Sequence, residues 1–428
     1  MSSVIPKSDL HDPTSSAYKK ARKLFLKSTK NRIQDNDQEW TPFRAAEKRY
    51  KARFPPPDLS NVLDLALLNE ERAHEVTAGV WRGRADAQEF REIRLQSGGK
   101  GYILSRIPGL VILPSFLTPE KQRELVRWSL SEHSLPPNET NLDTHYVLPP
   151  EGIWNVAVQA KDDPSREVEI PPRHQLLPPD QKTEVKHEPR VLINNTPASA
   201  DTYNSLSNIS KPPATPSPTV ATATSLDLLP KLRWANIGWF YHWGTKQYDF
   251  TRGKVEVHSR LKDVCQNAVR AIPWQEVFSE DASDWGNEDD WRTWGESYEP
   301  DAGIVNFYQT KDTLMAHVDR SEVCATSPLV SISLGNAAVF LIGGPTRDTD
   351  PIPILLRSGD VVIMSGPRCR RAYHGVPRIL ENTLPRHMVG SIDDTEWKPY
   401  EDYLHSTRIN VNVRQVFPKG FNPGVSDQ

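Results

Sequence analysis

Cysteine is scarce. The three present, Cys265, Cys324 and Cys369, are odd in number and none is in C-x-x-C spacing. Neither a disulfide framework nor a cysteine zinc site is implied, and the count suits a reducing compartment. Long apolar runs are missing too. No stretch of 18 apolar residues occurs, which excludes a membrane-spanning helix of ordinary length. The opening "MSSVIPKSDLHDP" has no apolar core of the kind a secretory signal needs, and Asp9 and Asp12 disfavour a transit peptide. The expected compartment is the cytoplasm or the nucleus, with the mitochondrion kept open. Net charge is only −3, so the chain as a whole is not a polycation. Apolar residues make up 37%, a low share that predicts a part of the chain outside the core.

What is present is unevenly spread. Residues 1–60 hold 13 Lys/Arg and 7 Asp/Glu, a balance of 13 − 7 = +6, which leaves −9 for the remainder. A basic arm on an acidic body suits contact with phosphates, although a solvated basic helix reads the same way. "SSAYKKARKLFLKSTKNRIQ" predicts a basic amphipathic helix with Ser15 or Ser16 at its cap and Leu24, Phe25 and Ile33 as apolar surface. "FRAAEKRYKARF" is a second basic stretch, stopped by "PPP". "PGLVILPSF" reads as a short strand. "LTPEKQRELVRWSLSE" after it reads as a helix with Thr118 as cap, Pro119 at the first position, and Leu125 and Leu130 inward.

From Ala157 to about Ser225 the chain is rich in Pro, Ser, Thr and charge and has no apolar period. It predicts a flexible insertion, because such a segment buries too little apolar surface to offset its ordering entropy. "LRWANIGWFYHW" is strand-like, "SRLKDVCQNAVRAI" helical, and the acidic, Trp-rich "SEDASDWGNEDDWRTWGE" a loop. Beyond Asp301 the pattern is β. "AGIVNFYQ", "PLVSISLGNAAVFLIGG", "PIPILLRSGDVVIMSG" and "RINVNVRQVF" are short apolar or alternating runs parted by Gly and Pro turns. Several short strands with earlier helices predict an α+β fold built on a β-sandwich or barrel.

"TLMAHVDRSE" places His317 two residues before Asp319. A lone H-x-D is weak, but "RAYHGVPRIL" supplies His374 on a later strand. Two histidines and a carboxylate form the facial triad of non-haem Fe(II) enzymes, which leaves three positions open on one side of the metal. "RINVNVR" then places Arg408, Asn410, Asn412 and Arg414 on one face of a strand and Ile409, Val411 and Val413 on the other. An arginine fork on the polar face suits a dicarboxylate. The same pattern fits an edge strand with a solvated face.

The order His-x-Asp, His, Arg-x-Asn-x-x-x-Arg resembles the AlkB-like family of Fe(II)/2-oxoglutarate dioxygenases. "NFY", with Asn306 and Tyr308, is similar to the family's Asn-x-Tyr. "NLDTHY", "LRWANIGWFYHW" and the run from "HVDRSE" to "VPR" resemble most the AlkB homologue 1 branch, in its fungal form. The resemblance spans roughly residues 100–156 and 229–418. It implies a double-stranded β-helix (jelly-roll) core with N-terminal supporting helices. The implied layout is a basic extension at 1–60, supporting helices at 61–156, the insertion at 157–228 and the dioxygenase core at 229–428.

The resemblance implies roles residue by residue. His317, Asp319 and His374 bind Fe(II). Arg408 pairs with the distal carboxylate of 2-oxoglutarate. Asn306, Tyr308 and Asn410 hydrogen-bond to it. Arg414 lies near its metal-bound end as part of the catalytic set. Met315 stands where this branch often has glycine, and Asn412 where bacterial members have threonine. With O2 as the other cosubstrate, the implied activity is oxidative demethylation of N-methylated bases in tRNA, other RNA or DNA. Formaldehyde, succinate and CO2 are released. A protein or histone oxygenase and a non-catalytic nucleic-acid adaptor are the rivals. A monomer without a membrane partner is expected. His242 is read as structural, and His387 and His405 as outside the ligand set. Trp234, Tyr241 and Trp243 serve either as a stacking surface for a base or as core.

Overall fold

The computed structural model describes residues 10–29, 40–77, 81–86, 88–176, 196–278 and 291–424. Six helices matter here: α1 (Ser16–Thr29), α2 (Pro42–Lys51), α3 (Pro119–Arg127), α4 (Gly152–Asp162), α5 (Tyr203–Ser207) and α6 (Ser259–Ala271). The strands are β1 (Phe90–Arg94), β2 (Lys100–Leu104), β3 (Leu110–Leu113), β4 (Trp234–Gly238), β5 (Ala302–Gln309) and β6 (Leu314–His317). They continue with β7 (Leu329–Gly335), β8 (Ala338–Ile342), β9 (Ile352–Leu356), β10 (Val361–Met364), β11 (His374–Ile379) and β12 (Thr407–Arg414).

Eight strands form one antiparallel sheet in the order β1-β2-β3-β10-β7-β12-β5-β4, and four form a second, β6-β11-β8-β9. The sheets pack face to face as the expected jelly roll. Tyr102, Leu110, Tyr308, Leu329 and Met364 of the large sheet meet Phe340, Ile354, Leu356 and Val376 of the small one. Alternation explains the layering. In β12, Ile409, Val411 and Val413 are fully buried in the core under α3 and α6, so Arg408, Asn410, Asn412 and Arg414 turn inward between the sheets. Thr118 caps α3 through its hydroxyl, and Pro119 follows at its first position. Ser15 caps α1, its hydroxyl accepting from the Tyr18 N–H at 3.0 Å. Ile33 lies outside the described residues, as does most of the acidic, Trp-rich loop.

Two segments differ from the sequence expectation. Residues 1–60 are not one extension. α1 has no buried residue, as a basic arm should. α2 does, because Phe43 and Tyr50 pack with Val339, Leu341 and Leu355 on the outer face of the small sheet. "FRAAEKRYK" is basic by composition, yet Phe43, Glu47 and Tyr50 fall on one face three to four residues apart and are buried. Each large apolar side chain so buried contributes about 1.5–3 kcal/mol.

Parts of the segment 157–228 are packed against the core. Its start continues α4, and Glu169–Ile170 pairs with Ala223–Thr224. Ala198, Tyr203 and Leu206 dock into a cluster with Trp239, Phe250, Val323 and Phe417. Isolated anchors on a ready-made aromatic surface order this strap without any periodic face. Periodicity therefore misses it.

Candidate active site

A cavity of about 650 Å³ opens between the two sheets. Every residue assigned a site role from the sequence lines it: His317, Asp319, His374, Asn306, Tyr308, Arg408, Asn410 and Arg414. β6 delivers His317 at its end, and Asp319 follows two residues later. His374 begins β11 and pairs with His317 across the strands. Ligand atoms of the two histidines and Asp319 lie within 4.8 Å of one another, the one such group found among the described residues.

Main-chain carbonyls settle the histidine tautomers. Nδ1 of His317 donates to the Met315 carbonyl at 3.0 Å, and Nδ1 of His374 donates to the Ala372 carbonyl at 3.1 Å. A carbonyl can only accept, so each Nδ1 carries a proton and Nε2 is the ring atom left to face a metal. Burial, reinforced by neighbouring His317, pushes the His374 imidazole down to about 4, so this imidazole is neutral at physiological pH. Burial opposes ionisation of Asp319. The Arg414 guanidinium, with both histidines, outweighs it and holds the carboxyl well below the usual carboxylate range.

Arg414 organises this end of the cavity. Its Nη1 lies 3.2 Å from Asp319 Oδ2 and 2.7 Å from Glu322 Oε1, and its Nη2 donates to Asn412 at 2.9 Å. Glu322 also accepts from the Tyr248 hydroxyl at 3.3 Å and faces Arg370 at 3.5 Å. Two cations and two anions thus neutralise each other around the triad.

The other end is different. Strand register sets Tyr308 beside Arg408 and Asn306 beside Asn410. Nη2 of Arg408 donates to Ser333 Oγ at 2.8 Å, while its Nε and Nη1 are buried with no partner. Among the described residues no carboxylate pairs with it. Asn410 commits its amide nitrogen to Ser331 Oγ at 2.8 Å and the Ile332 carbonyl at 3.0 Å. Burial pushes the Arg408 guanidinium down to about 10 and the Tyr308 phenol up to about 12.

Sequence reading missed Ser331, Ser333, Glu322 and Arg370. The serines were findable, since they fall at alternate positions on an otherwise apolar strand, facing as Asn410 and Arg408 do. Glu322 and Arg370 carry no such signal, because only folding brings them together. Two other histidines make hydrogen bonds outside the triad. His242 bonds to Thr245 at 2.8 Å and to the Pro212 carbonyl at 2.9 Å, and His387 bonds to Gln122 at 2.8 Å. Of the aromatic trio, Tyr241 and Trp243 line the cavity. Trp234 instead packs against Trp243, with ring centroids 5.0 Å apart.

The strap closes one wall of the cavity with Thr196, Ala198 and Leu206. The Ala198 N–H donates to the Arg320 carbonyl at 2.8 Å. Arg371 donates to the Asp319 and Ala198 carbonyls at 2.8 and 3.2 Å, tying the strap to the segment that carries Asp319.

The donor set suits Fe(II), and the unpaired Arg408 fork suits one carboxylate of a dicarboxylic acid. Curated relatives match nearly end to end. The "DNA N(6)-methyladenine demethylase ALKBH1A" of Arabidopsis thaliana is 27% identical over 405 residues, covering 89% of this chain and 98% of the relative. The "tRNA demethylase abh1" of Schizosaccharomyces pombe is 28% identical over 388 residues, covering 90% and 98%. The human "Nucleic acid dioxygenase ALKBH1" is 28% identical over 400 residues, covering 87% and 83%. The sequence pattern of the 2OG-Fe(II) oxygenase superfamily extends over residues 109–414, from the start of β3 to the last arginine of β12. The chain belongs to that superfamily and is a dioxygenase that uses Fe(II), 2-oxoglutarate and O2.

Proposed function

We propose that the protein is an oxidative demethylase of N-methylated bases in nucleic acid, with His317, Asp319 and His374 holding Fe(II). Arg408 would hold the distal carboxylate of 2-oxoglutarate. The observation that carries the cosubstrate assignment is the buried Arg408 fork with Nε and Nη1 unpaired. A buried charge left so is costly unless a ligand completes it. Tyr308 and Ser333 flank that fork and orient the incoming carboxylate.

Bound there, Fe(II) with 2-oxoglutarate and O2 supplies the oxidation that hydroxylates an N-methyl carbon, giving succinate, CO2 and a hydroxymethyl group that leaves as formaldehyde. The chain's own residues orient and exclude water. Arg414 holds the Asp319 carboxylate ionised and aimed. The carbonyls of Met315 and Ala372 hold both imidazoles. Tyr241 and Trp243, in a T-shaped pair with centroids 5.0 Å apart, form the wall beside the triad. Trp243 is 45% exposed, so the part of its ring that Trp234 and Tyr241 leave uncovered would stack on an unpaired base. The names of the near-full-length relatives support a nucleic-acid substrate.

The test is turnover of a panel of methylated RNA and DNA oligonucleotides with Fe(II) and 2-oxoglutarate, read by nucleoside mass spectrometry. Loss of methyl groups matched by formaldehyde is expected. Succinate release stimulated by a methylated peptide and by no oligonucleotide would move the reading to a protein oxygenase.

A further inference from the structure

β6 is the end strand of the small sheet. It pairs with β11 only at Leu314–Val376 and His317–His374, with a break in register between. The ladder alone holds it weakly, and the His317 side chain is 37% exposed, so packing does not fix it either. The polar groups of Ala316 are met by side chains in place of a strand. Its N–H donates to Glu47 Oε1 at 2.6 Å, and its carbonyl accepts from Arg347 Nη2 at 3.0 Å.

Both partners are themselves held. Glu47 is 4% exposed, and its Oε2 accepts from Arg44 at 3.0 Å. The Phe43 N–H donates to the Arg347 carbonyl at 3.1 Å, and the Arg347 guanidinium lies 5.2 Å from the centre of the Tyr373 ring. α2 and the β8–β9 loop therefore grip β6 together.

The Ala316 N–H and the Met315 carbonyl belong to one planar peptide unit. Glu47 holds its N–H end. His317 Nδ1 donates to its carbonyl end. Any rotation of that plane turns the imidazole, and a carboxylate on the N–H strengthens the carbonyl as an acceptor. We propose that Glu47 is a positioning residue for the metal, acting through the Met315–Ala316 peptide to aim Nε2 of His317, while Arg347 holds the next peptide, Ala316–His317, by its carbonyl. The inference rests on the reading of His317 as a metal ligand. α2 then belongs to the metal site, although its sequence reads as a basic arm.

Co(II) is the probe, titrated into the full-length protein by calorimetry and followed by its visible absorption. Glu47→Ala should weaken Co(II) binding by about 10-fold or more, in the range for residues that orient ligands, and should alter the absorption bands. Glu47→Gln keeps an oxygen acceptor without the charge and should fall between it and the unaltered protein. A purely structural role would lower the melting temperature of the metal-free protein and leave the bands of the bound ion alone. Should Glu47→Ala not fold, Glu47→Gln and Arg347→Met carry the test. Wild-type affinity and spectrum in the folded variants would overturn the proposal. If His317→Ala binds Co(II) as well as the unaltered protein does, the ligand reading fails and the proposal falls with it. Loss in His317→Ala beside no change at Glu47 overturns the positioning role alone.

Discussion

The two ends of the active-site cavity carry their arginines in opposite ways. At the metal end Arg414 is met by Asp319 and Glu322, and Arg370 faces Glu322. At the far end Arg408 is buried too, yet its one side-chain partner is a serine hydroxyl and, among the described residues, no carboxylate meets it. Both arginines come from β12, six residues apart on the same face. One end is neutralised by the protein and is pre-organised. The other keeps an uncompensated charge that a ligand must complete. A buried cation without an anion lowers stability, and that cost is the basis for the proposed place of the anionic cosubstrate.

The sharpest way to break this comparison is to remove the triad's own carboxylate at the metal end. Asp319→Ala should abolish turnover and also destabilise the fold, by less than the roughly 3–5 kcal/mol of a fully orphaned buried charge because Arg414 keeps Glu322. His317→Ala, at the half-exposed edge, should abolish turnover with little change in melting temperature. Succinate release and thermal unfolding, measured on both, separate the two. Equal destabilisation would mean that Arg414 does not depend on Asp319.

The next effect concerns the far end. Arg408→Met should raise the apparent constant for 2-oxoglutarate by on the order of 30-fold or more, the equivalent of losing a desolvated charge pair of about 2–5 kcal/mol. The same variant should leave the ligand-free protein as stable as before, or more so, since no carboxylate is orphaned. Its melting temperature should no longer rise with added 2-oxoglutarate, whereas that of the unaltered protein should. A large loss of ligand-free stability would show that Arg408 is paired within the protein after all.

A smaller effect is expected from the strap, whose described residues are tied to the segment carrying Asp319 through Ala198. Leu206→Asp loosens its docking, because a carboxylate replaces a buried leucine. It should change the KM for a methylated oligonucleotide by about 10-fold, the value of roughly 1.4 kcal/mol, with the constant for 2-oxoglutarate nearly untouched. Steady-state kinetics in both substrates decide it. Co-variation of the two constants would mean that the strap holds the whole cavity.

The smallest effect belongs to α1. Truncation before Thr41 should weaken nucleic-acid binding a few-fold and flatten its salt dependence by roughly one unit or less for each phosphate no longer neutralised. Truncation before Asn61 should instead unfold the small sheet's outer face, since burying a residue like Phe43 is worth about 3–5 kcal/mol when it is truncated to Ala. Salt-titrated binding on the shorter truncation and a melting curve on the longer one distinguish arm from core.

The jelly roll and most of its site were legible because they depend on local order. His317 and Asp319 are two apart, and Arg408, Asn410 and Arg414 share a strand face by alternation alone. Thr118 and Pro119 announce α3 through their own chemistry. Ser333 was available to the same reasoning. Glu322, Arg370, Glu47 and Arg347 were not. Their partners lie tens to hundreds of residues away, and a single Glu or Arg in a sequence looks like solvated charge. The strap was illegible for a related reason. Ala198, Tyr203 and Leu206 make no pattern until the aromatic surface that receives them exists.

What the sequence determined by itself, then, was the set of residues whose spacing already encodes a strand face, a cap or a ligand pair, since those follow from backbone geometry within a few residues. Only the tertiary structure decided which charges neutralise one another. It left Arg408 open while closing Arg414, set a basic helix behind the small sheet, and turned part of a proline-rich insertion into a wall of the site. Burial and ion pairing depend on which distant surfaces meet, and no local periodicity records that.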